Sequence, residues 1–307
     1  MNVLITGSAG FIGSHAADWF THNYGVVALD SFTYAAKESN TAEFCKSAIT
    51  GYKIDITQQE DIENICREHN IEWIVNFAAE THVDRSIKDC DNFIWSNIIG
   101  TKSLLEACKN TGVKICHVST DEVYGDISSG SFSEEDKLNP KNPYAATKAA
   151  AEHMVRAYHN TYGVEHIIVR PSNNFGPRQH IEKLLPKVIT NCIEGHKIPI
   201  YGDGKQIREW TFVEETVQAI EFLVRNYSGV SNECYNISSE IEKRNIDIVS
   251  EVCDIMGKDF DSSVEFVEDR LGHDTRYSVS SAKLKSRGFK YEGSFKEDLE
   301  KTISYYA

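Results

Sequence analysis

No apolar run in this chain of 307 residues approaches the roughly 20 residues that span a bilayer. A transmembrane helix is therefore not expected. Positive charge is in deficit: 32 Lys and Arg stand against 46 Asp and Glu, a net charge of -14. Nucleic acid and anionic membrane surfaces would be repelled, and neither is expected as a partner. Paired cysteines are missing as well. All eight are scattered without one C-x-x-C pair, which favours reduced thiols over a disulfide framework or a zinc site. Neither a charged leader nor a long apolar stretch precedes "MNVLIT", so no signal peptide is read and a cytoplasmic location is expected. Internal repeats and low-complexity linkers are also lacking.

What the chain does carry is alternation. Short β-branched apolar runs ("NVLIT", "GVVALD", "GYKIDI", "EWIVNFAA", "VKICHVS", "EHIIVR") are separated by helix-like segments such as 58–69, 91–110 and 144–162. Strand and helix in turn predict βαβ units and an α/β fold, a parallel sheet with helices on both faces. After Arg170 the pattern shortens and Pro171, Pro177, Pro186 and Pro199 punctuate it, with further helices expected at 214–226, 245–256 and 295–306. Two parts are expected, 1–170 and a smaller α/β lobe at 171–307, partly interleaved.

Gly7, Gly10 and Gly13 fall between the first strand and the following helix in "VLITGSAGFIG". Glycines there allow a tight turn, close approach of a pyrophosphate to backbone N–H groups, and close packing of helix on strand. About 20 residues on, "VVALD" ends at Asp30, a carboxylate able to accept from both ribose hydroxyls of an adenosine. A carboxylate repels a 2′-phosphate, so NAD is expected over NADP. Asp55 and Ile56, at the end of the third strand, would lie near the adenine, and a plain strand-end aspartate is an equally good reading.

"PYAATK" sets Tyr144 and Lys148 four residues apart, on one helix face. A free tyrosine has a pKa near 10 and is no base at neutral pH. A neighbouring ammonium and an oxidised nicotinamide both favour its phenolate. "HVSTDEVYGD" poses a different question, because Thr120 is followed at once by two acids, Asp121 and Glu122. In an extended strand these would point to opposite faces; to serve one ligand they need the strand to end near Thr120 and the chain to turn, as Gly125 allows.

Together "TGSAGFIG", Thr120 and "YAATK" resemble the extended short-chain dehydrogenase/reductases that act on nucleotide sugars. "AAETHVDRSI", "STDEVYGD", "RPSNNFGPRQ", "EKLLPKVI", "IYGDGKQIREW" and "DRLGHDTRYS" are closer still to the dTDP-glucose 4,6-dehydratases, almost end to end. The resemblance implies a Rossmann-type doubly wound sheet, NAD as cofactor, a nucleotide-diphosphate sugar as substrate, and a homodimer formed through a four-helix bundle of helices 91–110 and 144–162. It implies that Thr120, Tyr144 and Lys148 serve oxidation at C4, with Glu122 the base at C5 and Asp121 the acid at O6. Around the cofactor it adds Phe11, Ile12, Ser31, Phe32, Thr33, Ala78, Ala79 and Ser96.

For the nucleotide sugar it implies Thr81, Ser86, Asn173, Asn174, Lys183 and Leu184. Pro199, Tyr201, Arg208, Asn245, Arg270 and His273 complete that set, with Asn245 equally readable as a helix N-cap and His82 as a core imidazole. Trp95 and Ser96 stand where the family more often has Glu-Thr, and Leu271 replaces a usual proline. These departures leave the nucleotide base open: UDP-glucose and UDP-N-acetylglucosamine stay beside dTDP-glucose. A 4-epimerase or a decarboxylase of the same family is the other reading, and a catalytically dead scaffold a third. Asp121 is the residue that separates the first two, since epimerases lack the acid pair.

Overall fold

The computed structural model describes residues 1–41, 49–269 and 274–307. Seven strands form one all-parallel sheet: β1 (Asn2–Thr6), β2 (Gly25–Asp30), β3 (Thr50–Lys53), β4 (Ile71–Asn76), β5 (Lys114–Val118), β6 (His166–Pro171) and β10 (Cys234–Ile237). Their spatial order is β3-β2-β1-β4-β5-β6-β10. The order reverses between β1 and β4, and in such sheets the cleft for a ligand opens at that point, beyond the carboxyl ends of the strands.

Side-chain alternation splits the core in two. Val3 and Ile5 face one way, with Ala16, Ala17 and Phe20 of α1 (Phe11–Phe20). Leu4 faces the other, with Ile62 and Ile65 of α2 (Gln59–Glu68) and Leu104 and Leu105 of α3 (Thr101–Thr111). A strand buried on both faces has to be apolar at every position, which is why "VLI" shows no polar alternation. The long helix α4 (Pro143–Tyr162) lies on the α3 side.

Residues after β6 build a second layer: a three-stranded sheet ordered β11 (Glu242–Arg244), β9 (Ile207–Phe212), β7 (Asn173–Phe175), and a pair β12 (Val264–Val267) with β8 (Ile198–Tyr201). Helices α5 (Leu184–Glu194), α7 (Asn245–Ile255) and α8 (Phe295–Tyr306) share one apolar cluster with them. From the same half of the chain, α6 (Val213–Arg225) packs beside α1, and β10 pairs with β6 in the large sheet. Among the described residues no helix is long and apolar enough to cross a membrane.

Two elements differ from the sequence expectation. The proline-punctuated stretch after Gly176 contains the full helix α5; Pro186 sits in its first turn, where the missing N–H has no intrahelical acceptor anyway. The helix expected over 91–110 is interrupted by a π-helical stretch, Ile94–Gly100. Asn97 lies within it, buried, accepting from the Glu80 N–H at 2.9 Å and donating to Thr147 Oγ1 at 2.9 Å. This wider turn ties the loop after β4 to α4.

Candidate active site

A cavity of about 400 Å³ opens at the switch point. Gly7, Gly10, Phe11, Ile12 and Gly13 line its floor, and the turn between them is one that only glycine can make. Gly7 has φ +67°, and a Cβ there would lie 2.7 Å from the Ala78 nitrogen; a Cβ on Gly13 would lie 2.1 Å from the Gly7 carbonyl oxygen. Among the described residues no side chain caps α1, so its first-turn N–H groups are left for an anion. At the tip of β2 the Asp30 carboxylate accepts from the Ala9 N–H at 2.9 Å and the Phe32 N–H at 2.7 Å. The second bond holds Phe32 in the left-handed region, at φ 55°. A glycine cradle, an uncapped helix start and a fixed carboxylate suit a dinucleotide, and the residues present therefore fit NAD.

The strand β5 ends at Val118, and a 3-10 turn, Asp121–Tyr124, follows. Thr120 caps it, its Oγ1 accepting from the Glu122 N–H at 3.3 Å. This turn lets Asp121 and Glu122 both line the cavity. Asp121 Oδ1 accepts from Thr120 Oγ1 at 3.2 Å, while Oδ2 is buried without a partner among the described residues. Glu122 accepts from Asn142 Nδ2 at 3.0 Å. Asn142 in turn caps α4, its Oδ1 accepting from the Ala145 N–H at 2.8 Å, with Pro143 opening the helix.

In the first turn of α4, Tyr144 borders the cavity and hydrogen-bonds Thr120. Lys148 is buried and donates to the Val118 carbonyl at 2.6 Å. Burial brings the Lys148 ammonium down to about 8, opposed by Glu152. Burial, then the charges of Glu122 and Asp121, hold the Tyr144 phenol above its ordinary value; Thr120 is the influence that pulls it down. The two acids are raised unequally. Burial, then Glu122, then Glu209 hold Asp121 well above an ordinary aspartate, whereas Glu122 is raised by burial and relieved by Asn142, Lys183 and Arg208. Of the two, Asp121 is the one whose charge its surroundings oppose more strongly.

Toward the second layer the cavity is bordered by Ala79, Thr81, Asn173, Asn174, Lys183, Leu184, Arg208 and Asn245. Arg208 donates to the carbonyls of Ile207 and Asp274 at 2.7 and 3.0 Å. Asn245 is the first residue of α7, whose N-cap is Arg244, so the capping reading gives way: its side chain faces the cavity. His82 is half-buried with Nε2 3.4 Å from Glu182, not a core imidazole.

Other expected residues stand behind or beside this wall. Ser86 is buried beneath Tyr144, accepting from its N–H at 3.2 Å and donating to the Val83 carbonyl. Ile56 is buried against Gly100, Asp55 accepts from Thr57, and Ala78 backs the glycine turn. Asp30 ends β2, Ser31, Phe32 and Thr33 follow it outside the cavity wall, and Ser96 lies in the π-helical stretch. Pro199 and Tyr201 are on β8, away from the cavity wall. Arg270 and His273 lie outside the described residues. Sequence reasoning missed Asn142, Trp210, Asp274 and Tyr277, which all border the cavity. Asn-Pro before a helix is a start signal that could have found Asn142; nothing local marks the other three.

The profile of the NAD dependent epimerase/dehydratase family matches residues 3–238. The chain is 42% identical to the low-salt glycan biosynthesis protein Agl12 of Haloferax volcanii, covering 100% of this chain and 98% of that one. It is 40% identical to a dTDP-glucose 4,6-dehydratase of Haemophilus influenzae, with the same coverage of 100% and 98%. Its fold superposes on DesIV, a dTDP-glucose 4,6-dehydratase from Streptomyces venezuelae solved with NAD bound, with a TM-score of 0.95 at 40% identity, covering 100% of this chain and 97% of that one.

Proposed function

The chain belongs to the NAD dependent epimerase/dehydratase family, and from that premise we propose that it is an NAD-dependent nucleotide-sugar 4,6-dehydratase, converting a nucleotide-diphosphate glucose to its 4-keto-6-deoxy form. The observation that carries this reading is the acid turn. Oxidation at C4 needs Thr120, Tyr144 and Lys148; Asp121 and Glu122 in the same cavity are two proton-transfer groups more than that step uses. Removal of water across C5–C6 needs one base and one acid, and an epimerase needs neither.

NAD, when bound at the glycine turn and Asp30, would accept hydride from C4 and give it back to C6 after water has left, so no net oxidant is consumed. Tyr144 takes the C4 hydroxyl proton, aligned by Thr120. Lys148, anchored to the Val118 carbonyl, places a positive charge one helical turn away. A ketone at C4 makes the C5 proton acidic enough for Glu122 to remove. Asp121, whose charge is disfavoured by burial and by Glu122, donates to the departing O6.

Lys183, Arg208 and Asn245 are assigned to the nucleotide diphosphate, with Arg270 and His273 by resemblance. Residues 1–170 are assigned to NAD and 171–307 to the nucleotide sugar, with β10 lent to the first sheet. The assembly is read as a homodimer through the rod 91–111 and α4: Ile94, Trp95, Ala146 and Ala157 are exposed there, and the family resemblance supplies the pairing. A cytoplasmic site of action accords with the composition. dTDP-glucose is the substrate favoured by the dehydratase relatives. Incubation with dTDP-glucose, UDP-glucose and UDP-N-acetylglucosamine in parallel, read by mass, tests this: loss of one water from the first is expected, and intact mass with all three would overturn it.

A further inference from the structure

Tyr124 is the last residue of the acid turn, and it does not end in solvent. Its hydroxyl donates to Asn236 Oδ1 of β10 at 2.8 Å and accepts from Arg170 Nη1 of β6. Arg170 uses its other edge on Glu152, Nε to Oε1 at 2.9 Å and Nη2 to Oε2 at 2.6 Å, a bidentate pair. Its guanidinium also lies 4.6 Å from the Tyr124 ring centroid, and Phe132 stacks on that ring at 5.0 Å. Exposure is 1% for Tyr124, 2% for Arg170, and 0% for Glu152 and Asn236. None of the four borders the cavity.

Glu152 sits on α4 four residues past Lys148 and eight past Tyr144, on the same helix face. The buried ion pair therefore joins the helix that carries Tyr144 and Lys148 to the turn that carries Asp121 and Glu122. Burying a guanidinium and a carboxylate is costly, and well-packed apolar side chains often give equal stability. What such a pair supplies that apolar packing does not is direction. The C4 oxidation residues have anchors of their own: Thr120 on Tyr144, the Val118 carbonyl under Lys148, and the Asn142 cap. The two acids are held through the turn itself and through Thr120 and Asn142, Asp121 bonded to the first and Glu122 to the second, so their placement follows the turn.

We propose that Tyr124 and Arg170 are positioning residues that hold Asp121 and Glu122 in register with Tyr144 and Lys148, so that elimination depends on them and C4 oxidation does not. This rests on the dehydratase reading above. The test is Tyr124→Phe, which removes the hydroxyl and keeps the ring. Bound NAD and the KM for the nucleotide sugar should stay within about two-fold of wild type. The rate of water loss should fall between about ten-fold and 10²-fold, the range a small misplacement of reacting groups produces. In a single turnover, reduced-nicotinamide absorbance should therefore outlast that of wild type, and solvent deuterium should enter C5 more slowly. Equal slowing of both phases, or an unchanged rate of water loss, would overturn the proposal. Because this change strands Arg170 Nη1 and Asn236 Oδ1, Phe132→Leu serves as the second variant, removing the stacking while stranding no polar atom. It should shift the same ratio in the same direction, by less; a wild-type ratio in a folded Phe132→Leu protein would also overturn it. Wild type on the same sugar is the control: failure to lose water there removes the dehydratase reading itself, whereas water loss with an unchanged variant ratio removes only the positioning role.

Discussion

Asp121 and Glu122 are neighbours in sequence, yet their surroundings push them to different tasks. Glu122 has Asn142, Lys183 and Arg208 to favour its charge, while Asp121 is set deeper, against the charges of Glu122 and Glu209. Substitutions should separate the steps accordingly. Tyr144→Phe should leave bound NAD oxidised when sugar is added. Asp121→Asn and Glu122→Gln should both give a persistent reduced-nicotinamide signal, with turnover down about 10² to 10⁴-fold. Of the two, only Asp121→Asn should still exchange solvent deuterium at C5. Stability carries the same signature. A carboxyl raised in the folded state stabilises fully below its unfolded pKa, near 3.8, and that contribution is lost as pH climbs toward its folded value. Asp121→Asn should therefore melt progressively higher than wild type as pH rises from about 4, with little difference below. A melting difference constant across pH would contradict the assignment.

Elements decide which of these residues meet. The spacing of Tyr144 and Lys148 could be read directly, because a helix converts four residues into one face. The glycine turn and Asp30 were equally legible, since both are local to a strand end. The acid pair was legible only as a condition: it needed the strand to stop, and the stop lies in the 3-10 turn capped by Thr120. Trp210, Asp274 and Tyr277 reach the cavity through pairing of β9 and the path after β12, contacts that no short window records. The π-helical stretch at Ile94–Gly100 was also invisible, because its cause is tertiary: Asn97 binds Glu80 and Thr147. Glycine gives the test at this scale. Gly13→Ala would bring a methyl 2.1 Å from a backbone oxygen, whereas Gly51→Ala meets nothing within 4 Å. The first should destabilise by roughly 1–3 kcal/mol in urea unfolding and lose bound NAD; the second should do neither. NAD retained by a stable Gly13→Ala protein would put the cofactor elsewhere.

For the whole molecule, the strands of the large sheet could be anticipated only as far as β6, and their order not at all. The seventh strand, β10, arrives after the second layer has begun, and α6 comes with it to cover α1. A chain read from left to right places a boundary at Arg170, but the large sheet borrows across it, because β6 would otherwise be left as an open edge. The same reasoning reaches the outer face of α4, where exposed alanines allow a second helix to approach closely. Sedimentation should find a dimer at micromolar concentration, and Ala157→Arg should give a monomer; a wild-type monomer would remove the bundle. All of this frames one claim, that the turn after β5 makes an oxidation site into an elimination site. The most direct measurement is turnover of dTDP-glucose in deuterated water by the wild-type protein, read by mass and by proton resonance at C5 of the sugar. The account predicts a product lighter by one water with a single retained deuterium at that carbon. A product of unchanged mass, inverted at C4 with its C5 hydrogen intact, would contradict it.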